Sequence, residues 1–190
     1  MDYSTPASTG PRAVLFDRDG TLVVDVPYNG DPARVRLMPG AAEAVRMLRE
    51  RGILVGVVSN QSGIARGLLT REQVDAVNDV VDRLAGPFDV WAVCPHSPED
   101  GCSCRKPAPG MVLSSARALG VAPHEVAVIG DIGADVGAAQ AAGARSLLVP
   151  TPVTREEEVA HAPLVAPDIL TAVELLLEDV PQPATSGAAL

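Results

Sequence analysis

The chain has 190 residues, 47% of them hydrophobic and only 3% aromatic, so it can fill one core with Val, Leu, Ile and Ala and is short for two domains. Its formal charge of −9 argues against a sequence-independent nucleic-acid binder, which needs a basic surface for phosphates, but not against a small phosphorylated ligand held by a local group of Lys, Arg and metal. No run of roughly 18 apolar residues is available for a transmembrane helix.

In chain order, "MDYSTPASTGPR" lacks the basic-then-apolar pattern of a secretory signal and reads as a disordered leader over 1–11. The expectation is a cytoplasmic protein. "AVLFD" (13–17) is the first strand-length apolar run, and it delivers Asp17 and Asp19 two positions apart with an Arg between them. Residues 40–51 read as a helix with Ala44, Val45 and Leu48 on one face, ending at Gly52. "ILVGVVSN" (53–60) is the second strand and runs into Ser59, Asn60, Gln61, Ser62 and Gly63. Residues 70–85 form a helix that opens on Thr70 and Gln73 at capping-box spacing. "FDVWAVCP" (88–95) is the third strand, with Trp91 read as core, and it enters a Cys/His segment followed by Arg105 and Lys106. A helix over 109–119 ends at Gly120. "VAVIGD" (126–131) is the fourth strand, ending on Asp131, and a helix over 133–142 ends at Gly143. "RSLLVP" (145–150) is the fifth. "TREEEV" (154–159) reads as a solvated helix face, a last helix covers 168–179 with Asp168 as N-cap, and His124 and His161 are expected to be exposed. The tail over 181–190 reads as disordered, leaving one domain over 12–180.

Strands alternating with helices predict an α/β fold: a three-layer, Rossmann-like parallel sheet with helices on both faces. No insertion is long enough for a large cap domain. In such sheets ligands sit beyond the carboxyl ends of the strands, and here the polar residues gather at those ends.

Residues two apart in an extended segment point to the same side, so Asp17 and Asp19 can face one site. Two close carboxylates stay ionised only with a cation between them, or else one holds a proton. Mg²⁺ satisfies this with two or three protein oxygens, and Asp131 supplies another. Asp17 can then be a nucleophile that accepts a phosphoryl group. Asp19 can be the acid that protonates the leaving oxygen and later the base that activates water. A Ca²⁺ loop does not fit, because Gly20 arrives too early and position 26 is Val. Ser59 and Asn60, with backbone N–H groups, can hold phosphate oxygens, and Lys106 can neutralise the transferring group. Taken singly, Ser59 reads as a turn residue and Lys106 as a surface lysine. Asp135 is suited to orient Lys106 or the metal shell.

Cys94, His96, Cys102 and Cys104 form C-x-H-x5-C-x-C. Three thiolates and an imidazole make a complete tetrahedral Zn²⁺ set with no open position, the mark of a structural site. The alternative is a cluster of buried thiols, but the surrounding Pro/Gly/Ser-rich loop has little apolar to bury them. Zinc would stiffen a loop that ends at Arg105 and Lys106.

Together these motifs, over residues 13 to 150, resemble the haloacid dehalogenase-like phosphatase superfamily, in its capless, zinc-containing branch. The resemblance implies Asp17 as nucleophile and Asp19 as acid/base. It implies Mg²⁺ on Asp17, Asp131 and the backbone carbonyl of Asp19, and Zn²⁺ on Cys94, His96, Cys102 and Cys104. It also matches Ser59 and Lys106 to groups that steady the phosphoryl. Asp25, Tyr28 and Arg105, with the "SNQSGIARG" residues Asn60, Gln61 and Ser62, match positions that touch substrate. These favour a heptose 1,7-bisphosphate, cut at the 7-phosphate. The short gap between His96 and Cys102 looks like the branch that acts on histidinol phosphate, and Ile132 stands where the heptose branch usually has Lys. A non-catalytic phosphate-binding module is the weaker alternative, because binding alone has no need of a second Asp beside the first. The expected protein is a monomer with a small phosphorylated substrate, and it engages neither nucleic acid nor membrane.

Overall fold

The structure is a computed structural model describing residues 10–178; all of the predicted tail and the first nine residues of the predicted leader lie outside the described residues. Gly10 and Pro11, expected in the leader, are buried, and Arg12 already pairs with the sheet margins through bonds to Glu125 and Leu54.

Five parallel strands form one sheet: β1 (Ala13–Phe16), β2 (Leu54–Asn60), β3 (Val90–Cys94), β4 (Val126–Gly130) and β5 (Arg145–Leu148), in the order β3-β2-β1-β4-β5. The chain winds outward from β1 to β3, then crosses to β4 on the other side. The winding therefore reverses between β1 and β4, the place where such sheets open a crevice.

Alternation along the strands divides the core in two. Val14, Phe16, Val55, Val57, Ala127 and Ile129 face one layer, made by α1 (Ala41–Glu50), α2 (Arg71–Ala85) and α6 (Ile169–Glu178). Ala13, Leu15, Val58, Val126 and Val128 face the other, made by α3 (Gly110–Leu119) and α4 (Gly133–Ala142). Both faces are covered, which is why the strands read as unbroken apolar runs. Truncating Phe16 to Ala would cost about 3–5 kcal/mol and loosen the strand end that carries Asp17.

The expected helix boundaries have physical anchors. Thr70 and Gln73 close a reciprocal capping box at 3.2 and 2.9 Å. Gly120 and Gly143 donate their N–H groups back to the carbonyls of Ala116 and Ala139. Asp168 caps α6 by accepting from the Thr171 N–H at 2.8 Å. The glutamate-rich segment forms a short exposed helix, α5 (Glu156–His161), and His124 and His161 are exposed.

Trp91 departs from the expectation. β3 is an edge strand, so Trp91 is only half-buried. It stacks edge-on against Phe88 (5.3 Å, 80°) and donates its Nε1–H to Asp82. The apolar run at 88–95 matches a central strand and an edge strand equally well; only the strand order separates them. Among the described residues no segment forms a separate cap, and no helix is long and apolar enough to cross a membrane.

Candidate active site

The site lies at the carboxyl ends of β1 and β4. Phe16 is in register with Ile129, and the Asp17 N–H bonds to the Ile129 carbonyl at 2.9 Å. This register sets Asp17 beside the strand end that carries Asp131. Gly20 makes the approach possible: its φ is +84°, and a Cβ there would lie 2.3 Å from Oδ2 of Asp131.

Four buried charged groups meet at this corner: Asp17, Asp131, Asp135 and Lys106. Lys106 Nζ donates to Asp17 Oδ1 and Asp135 Oδ1, both at 2.5 Å, and to the Val58 carbonyl at 2.8 Å. An ammonium has three donors, so all are committed. Asp17 Oδ1 is thereby occupied and Oδ2 is left to act. Burial works against the lysine charge, but Asp135 and Asp17 more than offset it and hold the proton on more firmly than in water.

The acids outnumber that cation. Three carboxylates and one ammonium leave an excess of two negative charges. Burial, opposed by Lys106 and helped by Asp135 and Asp19, pushes Asp17 up to about 8. Burial and then Asp135 push Asp131 up to about 7. Carboxylate oxygens of Asp17, Asp131 and Asp135 lie within 4.8 Å of one another. Hard oxygen donors carrying two uncompensated negative charges suit a divalent cation such as Mg²⁺.

Asp19 is turned differently. Its carboxylate lies outside that group and accepts from Arg18 (Nε–Oδ1 3.1 Å, Nη2–Oδ2 2.9 Å) and from Gln61 Nε2 at 2.7 Å. The Gln61 amide also donates to Ser59 Oγ at 2.9 Å. Asn60 clasps the backbone of Lys106: it accepts from the Lys106 N–H at 3.1 Å and donates to its carbonyl at 3.2 Å.

A cleft of about 380 Å³ opens above these groups. Asp17, Asp19, Asp25, Tyr28, Asn60, Gln61, Ser62, Lys106, Asp131 and Ile132 all line it. Asp25 stands at its exposed rim, where burial and then the Asp19 charge raise its carboxyl above the usual range. Tyr28 has a left-handed φ of 51° and accepts a hydrogen bond from Arg66 Nη1 at 2.9 Å across the rim. Two expected residues are not in the lining. Ser59 is buried beneath the floor, and Arg105 donates to the His96 carbonyl at 3.3 Å beside a separate shallow depression.

The thiol loop is compact. Cys94, His96, Cys102 and Cys104 place their ligand atoms within 4.8 Å of one another, with sulfur–sulfur spacings of 3.2, 3.4 and 3.7 Å and His96 Nδ1 at 3.2 and 3.6 Å from two sulfurs. Zn–S bonds of about 2.3 Å in a tetrahedron give edges of roughly 3.8 Å, so the cage is slightly contracted but of the right shape.

Three supporting residues escape a reading of the sequence. Arg18 is the largest fully buried side chain and reaches Asn78 of α2. Thr151 Oγ1 donates to Asp131 Oδ2 at 3.3 Å and Thr154 Oγ1 to the Asp131 carbonyl at 2.6 Å. Their signal is weak: a cation between two acids, and two hydroxyls just past a strand end.

A family model described as HAD-hydrolase-like matches residues 103–174. The D-glycero-beta-D-manno-heptose-1,7-bisphosphate 7-phosphatase of Rhodopseudomonas palustris is 38% identical over 149 residues, which span 72% of this chain and 83% of that one. The enzyme of the same name from Escherichia coli is 36% identical over 162 residues, spanning 78% and 85%. The crystal structure of D,D-heptose 1,7-bisphosphate phosphatase from B. bronchiseptica, complexed with magnesium and phosphate, superposes with a TM-score of 0.78 at 32% identity, covering 88% of this chain and 99% of that one.

Proposed function

Since the chain belongs to the heptose bisphosphate phosphatase family of HAD-like hydrolases, we propose that it hydrolyses the 7-phosphate of D-glycero-D-manno-heptose 1,7-bisphosphate, with Asp17 as nucleophile. The observation that carries this is the corner itself: a buried carboxylate with one oxygen tied to Lys106 and the other left to act, beside Asp131 and beneath an open cleft.

Asp17 and Asp131, with the backbone carbonyl of residue 19 as the resemblance implies, would hold Mg²⁺, which would supply charge neutralisation for the phosphoryl group. Asp17 Oδ2 attacks phosphorus while the bond to the sugar oxygen breaks, and Asp19 gives that oxygen a proton. Water then attacks the phosphoaspartate as Asp19 takes its proton. The bond between phosphorus and Asp17 breaks and inorganic phosphate leaves. Lys106 acts through its field, because its three donors are committed to protein oxygens. Ser59 and Gln61 hold Asp19 and the floor of the cleft, while Asp25, Tyr28, Asn60 and Ser62 meet the sugar.

We assign Zn²⁺ to Cys94, His96, Cys102 and Cys104 as a brace for the segment ending at Lys106; the thiol and imidazole spacings support it. Three thiols gathered around His96 rather than joined in disulfides fit a reducing cytoplasm. The five-residue gap between His96 and Cys102 favours histidinol phosphate as the second reading. The deciding experiment compares kcat/KM for phosphate release from the two substrates in Mg²⁺. The heptose bisphosphate is expected to win by at least about tenfold, a difference of roughly 1.4 kcal/mol in transition-state binding. A higher value for histidinol phosphate reverses the assignment.

A further inference from the structure

Position 18 lies between two site carboxylates in the turn just past β1; its residue borders the cleft, and its buried guanidinium reaches Asn78 of α2. A guanidinium at 1% exposure is costly without polar partners, and each of its three nitrogens has one here. Its matches are specific. Nη1 donates to Asn78 Oδ1 at 2.7 Å, and the Nε/Nη2 edge forks onto both oxygens of Asp19. Such a two-point fork fixes the plane of a carboxylate, which a lysine's point charge cannot do.

The loading of Asp19 is uneven. Oδ2 accepts from Arg18 and Gln61, whereas among the described residues Oδ1 accepts only from Arg18. Oδ1 therefore has the spare capacity to carry a proton toward the cleft that Asp19 lines.

We propose that Arg18, held by Asn78, is a positioning residue that fixes the plane of the Asp19 carboxylate and presents Oδ1 for proton transfer to the leaving oxygen. The proposal rests on reading Asp19 as the acid/base of the phosphatase reaction. A misplacement of about 1 Å in such a group can cost on the order of a hundredfold in rate, so the plane of the Asp19 carboxylate matters.

The test uses leaving groups. An alkyl phosphate such as a hexose phosphate needs its departing oxygen protonated; para-nitrophenyl phosphate does not. Through kcat/KM, which reports the steps up to phosphoryl transfer, Asn78→Leu and Arg18→Lys are expected to lower the alkyl value by roughly tenfold or more and the aryl value by less than about threefold. Asn78→Asp, which keeps the acceptor, is expected to restore the parent ratio. Equal losses on both esters, or no loss on either, would overturn the proposal. So would loss of folding in every variant, which assigns the pair to the scaffold alone. Asp19→Asn is run beside them. If it too spares the alkyl ester, the acid/base reading has failed; if it shows the selective loss and the Asn78 and Arg18 variants do not, only the brace has failed.

Discussion

The molecule gathers metal-suited side chains in two places, and they differ in how they are held. The carboxylate corner is drawn from residues 17, 131 and 135, far apart in sequence, and adjacent strand ends bring it together. It already contains a cation, Lys106, yet stays two charges short of neutral. The thiol loop is drawn from eleven consecutive residues, 94–104, and four soft donors fill a tetrahedron by themselves. One cluster is incomplete by design and faces a cleft; the other is closed and faces its own loop. An incomplete site can admit a reacting group, whereas a closed one can only hold shape. The two are joined by the Asn60 clasp on Lys106, two residues beyond the last cysteine.

The largest effect should come from the incomplete side. Asp17→Asn should lower phosphate release by at least about 10⁴-fold while the protein stays folded, as loss of a nucleophile does; undiminished release from that variant would remove the nucleophile assignment. Lys106→Met comes next. Turnover should fall roughly 10²–10³-fold. Because Asp17 and Asp135 would be left buried without their partner, stability should drop by about 3–5 kcal/mol in denaturant titrations. On the closed side the effect should be smaller. Cys94→Ser should lower activity by about tenfold, and elemental analysis should show that bound zinc is lost with it. A zinc-free parent with full activity would erase the contrast between the two clusters.

The smallest effect concerns pH. Without metal, folded Asp17 and Asp131 bind protons up to about 8 and about 7, whereas the ordinary aspartate value is 3.8. Between these limits the folded state holds more protons than the unfolded chain, so this contribution to stability is present at low pH and is lost as pH rises. A divalent cation compensates the ionised acids. The rise in Tm on adding Mg²⁺ should therefore be greater near about pH 8 than near about pH 5. Equal rises at both would mean that the cation binds elsewhere.

Much of the fold and of the carboxylate corner is legible in the amino-acid sequence. The five apolar runs become five strands because burial on both faces leaves no room for polar residues, and Thr70, Asp168 and Gly143 mark helix ends through bonds that local sequence alone specifies. The acids at strand ends stand out because apolar runs seldom terminate on carboxylates without a partner. What stays hidden depends on side-chain direction and distant pairing. Arg18 turns inward to Asn78, sixty residues away; Thr151 and Thr154 reach back to Asp131; Arg105 turns to the thiol loop; and Trp91 lies on an edge that only the strand order reveals.

The bond from Arg66 to the Tyr28 hydroxyl ties two rim loops together in full contact with water. A solvent-exposed link of this kind contributes only about 0.5–1.5 kcal/mol, so thermal fluctuation opens it in a fair fraction of molecules at any instant. The Tyr28 ring can thus leave Arg66 without a moving domain, which gives the wall of the cleft that it forms some room to adjust.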